Sequence, residues 1–362
     1  MAIYPESETD RRVPRAALLD VVTRVFAGCG MDEADSGLLA ETLVSSDMRG
    51  VHSHGVLRVP DYVGKLTGEG VDPAGRPRVV SRRGGALRVD GGNSMGQIGG
   101  TLAMDAAIDA ARETGIAFAA LGNSNHCGAM DWYTMRATRA GMIGLAGTNA
   151  IPTMAPLGGT DRIVGINPLS AALPGDGPPF VLDFSFGATA HGKIRVHAQK
   201  GAPIPEGWAQ DAEGNPTTDA EVALSGLIQP IGGHKGVALG MMVGMLSSFL
   251  SDAGYGIESG NMKEGAFPGR DGQFFIAIDI AAFVEPAEFR RRVDAAAAQI
   301  RGSTRRAGVD RLLVPGELEA DIEAEYARTG ILLSAATIDG IAAAATGLGV
   351  DAAALFTDGA PA

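Results

Sequence analysis

Cysteine is nearly absent: Cys29 and Cys127 are the only two in 362 residues. That is too few for a disulfide framework, and their spacing fits no zinc knuckle. Aromatic residues make up only 5% of the chain, and basic residues are outnumbered, 30 against 42 acidic, for a formal charge of −12. Such a balance leaves no long-range field to gather a nucleic-acid backbone or an anionic membrane, so neither is an expected partner. Long apolar runs are also missing. The best, Val237 to Leu250, includes Gly240 and Ser247, is flanked by Lys235 and Asp252, and is shorter than the ~20 residues of a span. It reads as a buried helix. The first residues, Met1 to Arg12, are polar and charged, with no apolar core of a signal peptide, so a reducing cytoplasm is the expected compartment.

The glycine loop that lets a pyrophosphate approach a helix N-terminus is missing as well. Gly347-Leu-Gly349-Val-Asp-Ala352 has the spacing but ends on alanine and lies too near the C-terminus for a following strand-helix-strand unit. The segment Gly187-Ala-Thr-Ala-His-Gly192-Lys193 is almost a P-loop, yet Ile194 stands where a magnesium-binding hydroxyl belongs. ATP chemistry is disfavoured.

Glycine itself is abundant, 52 residues, about twice its usual share of roughly 7%. Helical spacing of apolar residues covers 14–26, and Asp32 is placed to cap a second helix. Further helix signals cover 99–114, 129–140, 237–251 and 286–301, and the tail 315–355 reads as helical. Strand signals fall at 86–89, 116–121, 143–146, 180–185 and 274–280. A turn-rich stretch between Gly64 and Gly100 suggests a boundary near residue 78.

Two segments carry candidate chemistry. On a helix, His54, Arg58 and Tyr62 would sit four residues apart and share one face. Arg58 can grip a carboxylate through paired hydrogen bonds, His54 exchanges a proton near neutral pH, Tyr62 adds a hydroxyl, and Ser53 can relay to His54 or fix its tautomer. The bland reading is a solvated arginine beside a packed histidine. The second segment, Gly122-Asn-Ser-Asn-His-Cys-Gly-Ala129, joins a strand signal to a helix signal, the kind of loop that holds ligands. Asn125 and His126 can bind a substrate oxygen there, although asparagines also simply form turns, and Cys127 reads as packing. Zinc held by His52, His54, His126 and His234 is weighed and set aside, because the sequence fixes nothing that brings them together. Gly232-Gly-His-Lys-Gly236 opens the apolar helix, where backbone amides can face a phosphate; an ordinary turn is the alternative.

Together the segments resemble the type-2 malate/L-lactate dehydrogenases, a family that also includes ureidoglycolate and sulfolactate dehydrogenases, diketogulonate reductases and piperideine carboxylate reductases. The likeness is carried by Asp47-Met-Arg-Gly-Val-His-Ser-His-Gly-Val-Leu-Arg58, Asn123-Ser-Asn-His-Cys-Gly128, Gly147-Thr-Asn149 and Gly165-Ile-Asn-Pro168. It continues through Asp183-Phe-Ser185, His191-Gly-Lys193, Ile204-Pro-Glu-Gly-Trp208 and Gly232-Gly-His-Lys-Gly236. Many matched segments in order are far more specific than any one.

The resemblance implies an α+β fold: a non-Rossmann NAD(P)-binding region with a largely antiparallel sheet flanked by helices, at 79–308, and a mainly helical domain from 1–78 and 309–362. It implies NAD or NADP as cofactor, a small carboxylate as substrate and a homodimer whose cleft is completed by the partner. His54 would serve as proton donor and acceptor with Ser53 beside it, His126 would orient substrate or nicotinamide, and Arg58, Tyr62 and Asn125 would bind substrate. Thr148, Asn149, Asp183, Phe184, Ser185, Lys193, His234, Lys235, Arg305 and Arg306 would lie along the cofactor, and no metal is expected. The implied reaction is hydride transfer to or from a 2-hydroxy or 2-oxo acid. Reduction of a cyclic imine is the alternative, and a zinc hydrolase or a non-catalytic binding protein are the contrasting classes.

Overall fold

The computed structural model describes residues 9–199, 201–260 and 268–356. Eleven helices are found among them: α1 (Arg15–Gly28), α2 (Glu33–Met48), α3 (Val59–Thr67), α4 (Gly96–Thr114), α5 (Asp131–Arg139), α6 (His191–Gln199), α7 (Ala220–Ser225), α8 (His234–Phe249), α9 (Pro286–Arg301), α10 (Glu317–Thr329) and α11 (Ala335–Gly347). Seven strands build the main sheet: β1 (Arg78–Arg83), β2 (Ala86–Asp90), β3 (Ile116–Ser124), β4 (Ile143–Thr148), β5 (Leu169–Leu173), β6 (Phe180–Phe184) and β7 (Asp271–Ile278). Their order is β1-β2-β3-β7-β4-β5-β6, and only β2 with β3 is parallel. That pair is joined by α4, the long crossover a parallel pairing requires. The result is a mixed α/β fold built on a mixed sheet.

Three cores hold it. The first gathers α1, α2, α3 and α11 around Leu18, Phe26, Leu43 and Ile341, and the strand Arg11–Val13 pairs with Ile331–Leu333, so segments far apart in the chain share one core. The second lies between α4, α5 and the sheet, around Met104, Tyr133 and Phe275. The third packs residues such as Phe186, Val243 and Phe274 beneath α6, α7 and α8. Asp32 caps α2 as its sequence position suggests, accepting the Asp35 N–H at 2.8 Å.

Two expectations change. The tail is not continuously helical, because Ile331–Leu333 leaves α10 to pair with the first strand. The helix α8 is not buried all round: Val237, Val243 and Ser247 face inward, but Leu239, Met242 and Phe249 are 47%, 49% and 64% exposed. Its uniformly apolar sequence therefore marks two apolar faces, one of them on the surface of the single chain. No helix of the described residues is long and apolar enough to cross a membrane.

Candidate active site

The expected single helix through His54, Arg58 and Tyr62 does not form. His52–His54 and Val56–Arg58 are two short 3-10 turns, and α3 starts only at Val59, with Pro60 in its first turn. The break lies at Gly55, whose backbone is extended between the turns. The buried Asp47 holds that arrangement, because one carboxylate oxygen lies 2.7 Å from His52 Nδ1 and the other accepts the Val56 N–H at 2.7 Å. A Cβ on residue 55 would stand 2.2 Å from that carboxylate.

The refolded segment still gathers the expected groups. Ser53 Oγ lies 2.9 Å from His54 Nδ1, and Arg58 reaches back to donate from Nε to the Ser53 carbonyl at 2.7 Å. Arg58 Nη1 also pairs with Asp61 at 3.2 Å. From the other side, the loop after β3 delivers His126, whose ring stacks on His54 with centroids 5.8 Å apart. His54 is pushed down to about 4, first by burial and then by the Arg58 charge. His126 is lowered by burial, His54 and Arg58. Both rings are therefore neutral at pH 7. A neutral His54 that donates from Nδ1 to Ser53 presents Nε2 as a bare acceptor, a ready base.

Several expected ligand groups turn out to be occupied. The Asn125 amide donates to Asn93 and to the Ser94 carbonyl at 2.9 Å, and its oxygen accepts the Gly269 N–H at 2.7 Å. These bonds tie the His126 loop to the turn between β2 and α4 and to the chain before β7. Tyr62 is sealed from solvent and its hydroxyl meets His126 Nδ1 at 2.7 Å, so it stands behind the imidazole. Thr148 and Asn149 are likewise spent: the Asn149 amide donates to Ser248 and to the Gly254 carbonyl, its oxygen accepts the Gly272 N–H, and Thr148 Oγ1 reaches the Gly272 carbonyl. A buried asparagine that satisfies three partners is a structural tie.

Asp183 accepts the Asp131 N–H at 2.8 Å and so caps α5. Its carboxyl is pushed up by the surrounding protein and by Asp131, an effect softened by the side chain's open, solvent-facing edge. Asp131 itself is clasped by the buried Arg49 at 2.8 Å, and Arg49 also reaches Glu323 of α10 at 3.3 Å. That bridge, which the sequence reading missed, fastens α2 to the start of α5; the single signal for it was an arginine inside the Asp47–Arg58 motif. Phe184 packs edge-on against Phe186 in the third core, with Ser185 between them. Arg305 and Arg306 sit on the exposed loop after α9, where they line a surface cavity of about 750 Å³ formed by residues 301–310, and Arg305 donates to the Asp310 carbonyl.

The chain leading to α6 and the chain leading to α8 run side by side, tied by Ala188 N–H to Gln229 and Ile231 N–H to Phe186. Helix α8 opens directly after Gly232 and Gly233, both at positive φ with open space beside them, and no side chain caps it. Lys193 lies in the first turn of α6, and His234 and Lys235 start α8 on the surface. The buried Thr189 hydroxyl has no hydrogen-bond partner among the described residues. Uncapped amides, lysines and a spare hydroxyl are what a diphosphate takes, so this region fits a nicotinamide dinucleotide. Cys127 is buried and its thiol is pushed up to about 12 by burial, the state of a packing residue and not of a nucleophile. Among the described residues no three His, Cys, Asp or Glu side chains are grouped to hold a metal ion.

Residues 13–342 match the model of the malate/L-lactate dehydrogenase family. The malate dehydrogenase of Pyrococcus horikoshii is 37% identical over 315 residues, covering 84% of this chain and 87% of that protein. A delta(1)-pyrroline-2-carboxylate/delta(1)-piperideine-2-carboxylate reductase of Pseudomonas putida is 36% identical over 250 residues, 68% of this chain and 73% of that one. The solved sulfolactate dehydrogenase of Methanocaldococcus jannaschii matches with a TM-score of 0.90 at 31% identity, covering 96% of this chain and 100% of that structure. With the motifs, the fold and nearly the whole length in agreement, the chain belongs to the malate/L-lactate dehydrogenase family and is an oxidoreductase of hydroxy acids, a class that works with a nicotinamide cofactor.

Proposed function

We propose that this protein moves a hydride between NAD(P)(H) and a small 2-hydroxy or 2-oxo acid, with His54 taking and returning the hydroxyl proton. The observation that carries the reading is the stacked pair His54 and His126, both neutral and both beside Arg58. The bound nicotinamide accepts or supplies the hydride. In the oxidative direction His54 Nε2 removes the hydroxyl proton as the carbon gives up its hydride, leaving a carbonyl. In reduction a protonated His54 returns that proton to the oxygen. Ser53 holds the His54 ring through Nδ1.

Arg58 fixes the substrate carboxylate. Its Nε and Nη1 already meet Ser53 and Asp61, which orients the guanidinium and leaves Nη2 for the ligand. The uncapped start of α8, with Lys193 of α6 and with His234 and Lys235, holds the cofactor diphosphate, and Asp183 forms part of the wall. The apolar outer face of α8, with Leu239, Met242 and Phe249, is covered by a second copy of the chain, making a homodimer.

The Pseudomonas putida relative supports a second reading, reduction of a cyclic imine carboxylate. Here the ring nitrogen takes the place of the carbonyl oxygen and Arg58 keeps its role. Absorbance of NADH and of NADPH, followed with oxaloacetate, pyruvate, sulfopyruvate and a cyclic imine carboxylate, separates the two and reads the cofactor preference. Turnover of a 2-oxo acid is expected; turnover of the imine alone selects the second reading, and no turnover with either cofactor overturns both.

A further inference from the structure

We propose that Tyr62 and Gln97 are positioning residues that hold His126 as a neutral imidazole with its proton on Nε2, making His126 a fixed hydrogen-bond donor to the reacting oxygen while His54 alone exchanges the proton. The proposal rests on the functional reading above for the identity of that oxygen. The relay itself stands on geometry.

Its direction follows from the Gly128 backbone N–H, which can only donate, and from the orientation of the Gln97 amide. Gln97 Nε2 donates to the Tyr62 hydroxyl oxygen at 3.0 Å. With its oxygen engaged, the phenol directs its own proton to His126 Nδ1, 2.7 Å away. The backbone N–H of Gly128 points at the same Nδ1 from 3.4 Å. A nitrogen that faces two donors carries no proton, so a neutral His126 keeps its hydrogen on Nε2. The reverse polarity would need the Gln97 amide turned over and would set an Nδ1–H against the Gly128 N–H.

Burial makes the relay hard to undo, since Tyr62 is 1% exposed and Gln97 is fully buried. Gln97 is brought there by Gly96, where a Cβ would stand 2.1 Å from the Asn125 carbonyl and 2.8 Å from that of His126, so only glycine lets α4 start against this loop. Burial, together with Arg58 and His54 from the 3-10 turns, opposes a charged His126 ring, and the other ionisable groups beside it, Tyr62 of α3 and Cys127 of its own loop, are neutral. A neutral imidazole that donates to a carbonyl polarises it without competing for the proton. With His54 donating from Nδ1 to Ser53, as the functional reading has it, the two histidines take opposite tautomers and opposite jobs. The expected substrate-binding role of Tyr62 becomes one of orientation.

The test is nitrogen NMR of the full chain labelled with 15N-histidine, without substrate, from about pH 5.5 to 8.5, with His126 identified by its loss in His126→Gln. The expected result is a bare Nδ1, a protonated Nε2 and no titration in that range. Tyr62→Phe keeps the ring in the core and should mix the two tautomers and lower kcat on the order of a hundredfold while leaving KM little changed. Gln97→Met, which retains the phenol, should mix the tautomers less. A protonated Nδ1, a His126 that titrates in this window, or wild-type kcat in Tyr62→Phe would overturn the proposal. Because the spectra need no substrate, the predicted tautomer in an enzyme that turns over no hydroxy acid would leave the relay standing and remove only the functional reading.

Discussion

His54 and His126 lie stacked, their ring planes 11° apart, although one comes from a 3-10 turn beside α3 and the other from the loop after a sheet strand. The site is thus assembled where the helical core meets the sheet. Asp47 shapes one side of it, and Asn125 shapes the other.

The contact of Ser53 with His54 Nδ1 sets which nitrogen of His54 is left bare. Ser53→Ala should lower kcat about tenfold or more with cofactor affinity unchanged, and Ser53→Thr should recover part of the loss. Steady-state rates with cofactor titrations check this; an alanine variant with wild-type kcat refutes the role.

The pH dependence follows from the lowered His54. Oxidation of the hydroxy acid needs the neutral ring, so its kcat/KM should stay flat down to about pH 5, below the usual imidazole range, whereas the reductive kcat/KM should climb as pH falls toward about 4. Stability moves in a defined sense too. Above pH 6.5 both folded and unfolded His54 are neutral and the fold keeps its full advantage; as pH falls from 6.5 toward about 4 the unfolded chain binds the proton first and stability is lost. Asp271, raised to about 7 by burial, slopes the other way: it favours the fold at low pH and loses that advantage as pH rises through about 7. Comparing His54→Gln with the wild type isolates the first effect: denaturant titrations at pH 4.5 and 6.5 should show a shallower loss in the variant.

Arg58 engages through a planar guanidinium, so charge alone does not replace it. Arg58→Lys should raise KM roughly tenfold to a hundredfold, the span of about 1.5 to 3 kcal/mol for a hydrogen bond to a charged group. The cofactor Kd should hold steady, as should the KM of a substrate analogue that lacks the carboxylate. An unchanged KM for the acid would remove Arg58 from substrate binding.

Much of this was legible in the sequence, and the failures have physical causes. Apolar periodicity locates α1 and α4 well, because each buries a stripe against the core; it also locates α9, although none of that helix's residues is buried. It locates α8 too but misreads its burial, because an all-round apolar sequence looks the same whether its outer face meets protein or solvent. Spacing alone brings His54, Arg58 and Tyr62 together through a helix that does not exist. What joins them is Gly55 folding over a buried Asp47, a tertiary contact that no local pattern reveals. Asparagine is ambiguous for a similar reason: Asn125 and Asn149 have the donors and acceptors of ligand residues and use them on the chain's own backbone and side chains.

If α8 forms a subunit interface, a charge in its outer face should split the assembly. Met242→Asp should shift the mass seen by light scattering from two chains to one and lower activity with it. A fully active single chain would contradict the homodimer.

The most direct test of the central claim is kcat for His54→Ala with a 2-hydroxy acid that the wild type oxidises, measured alongside cofactor affinity. A general base contributes typically 10²- to 10⁴-fold, so kcat should fall by about that factor while the cofactor Kd stays at the wild-type value. An unaltered kcat would contradict the account and pass the proton to another group.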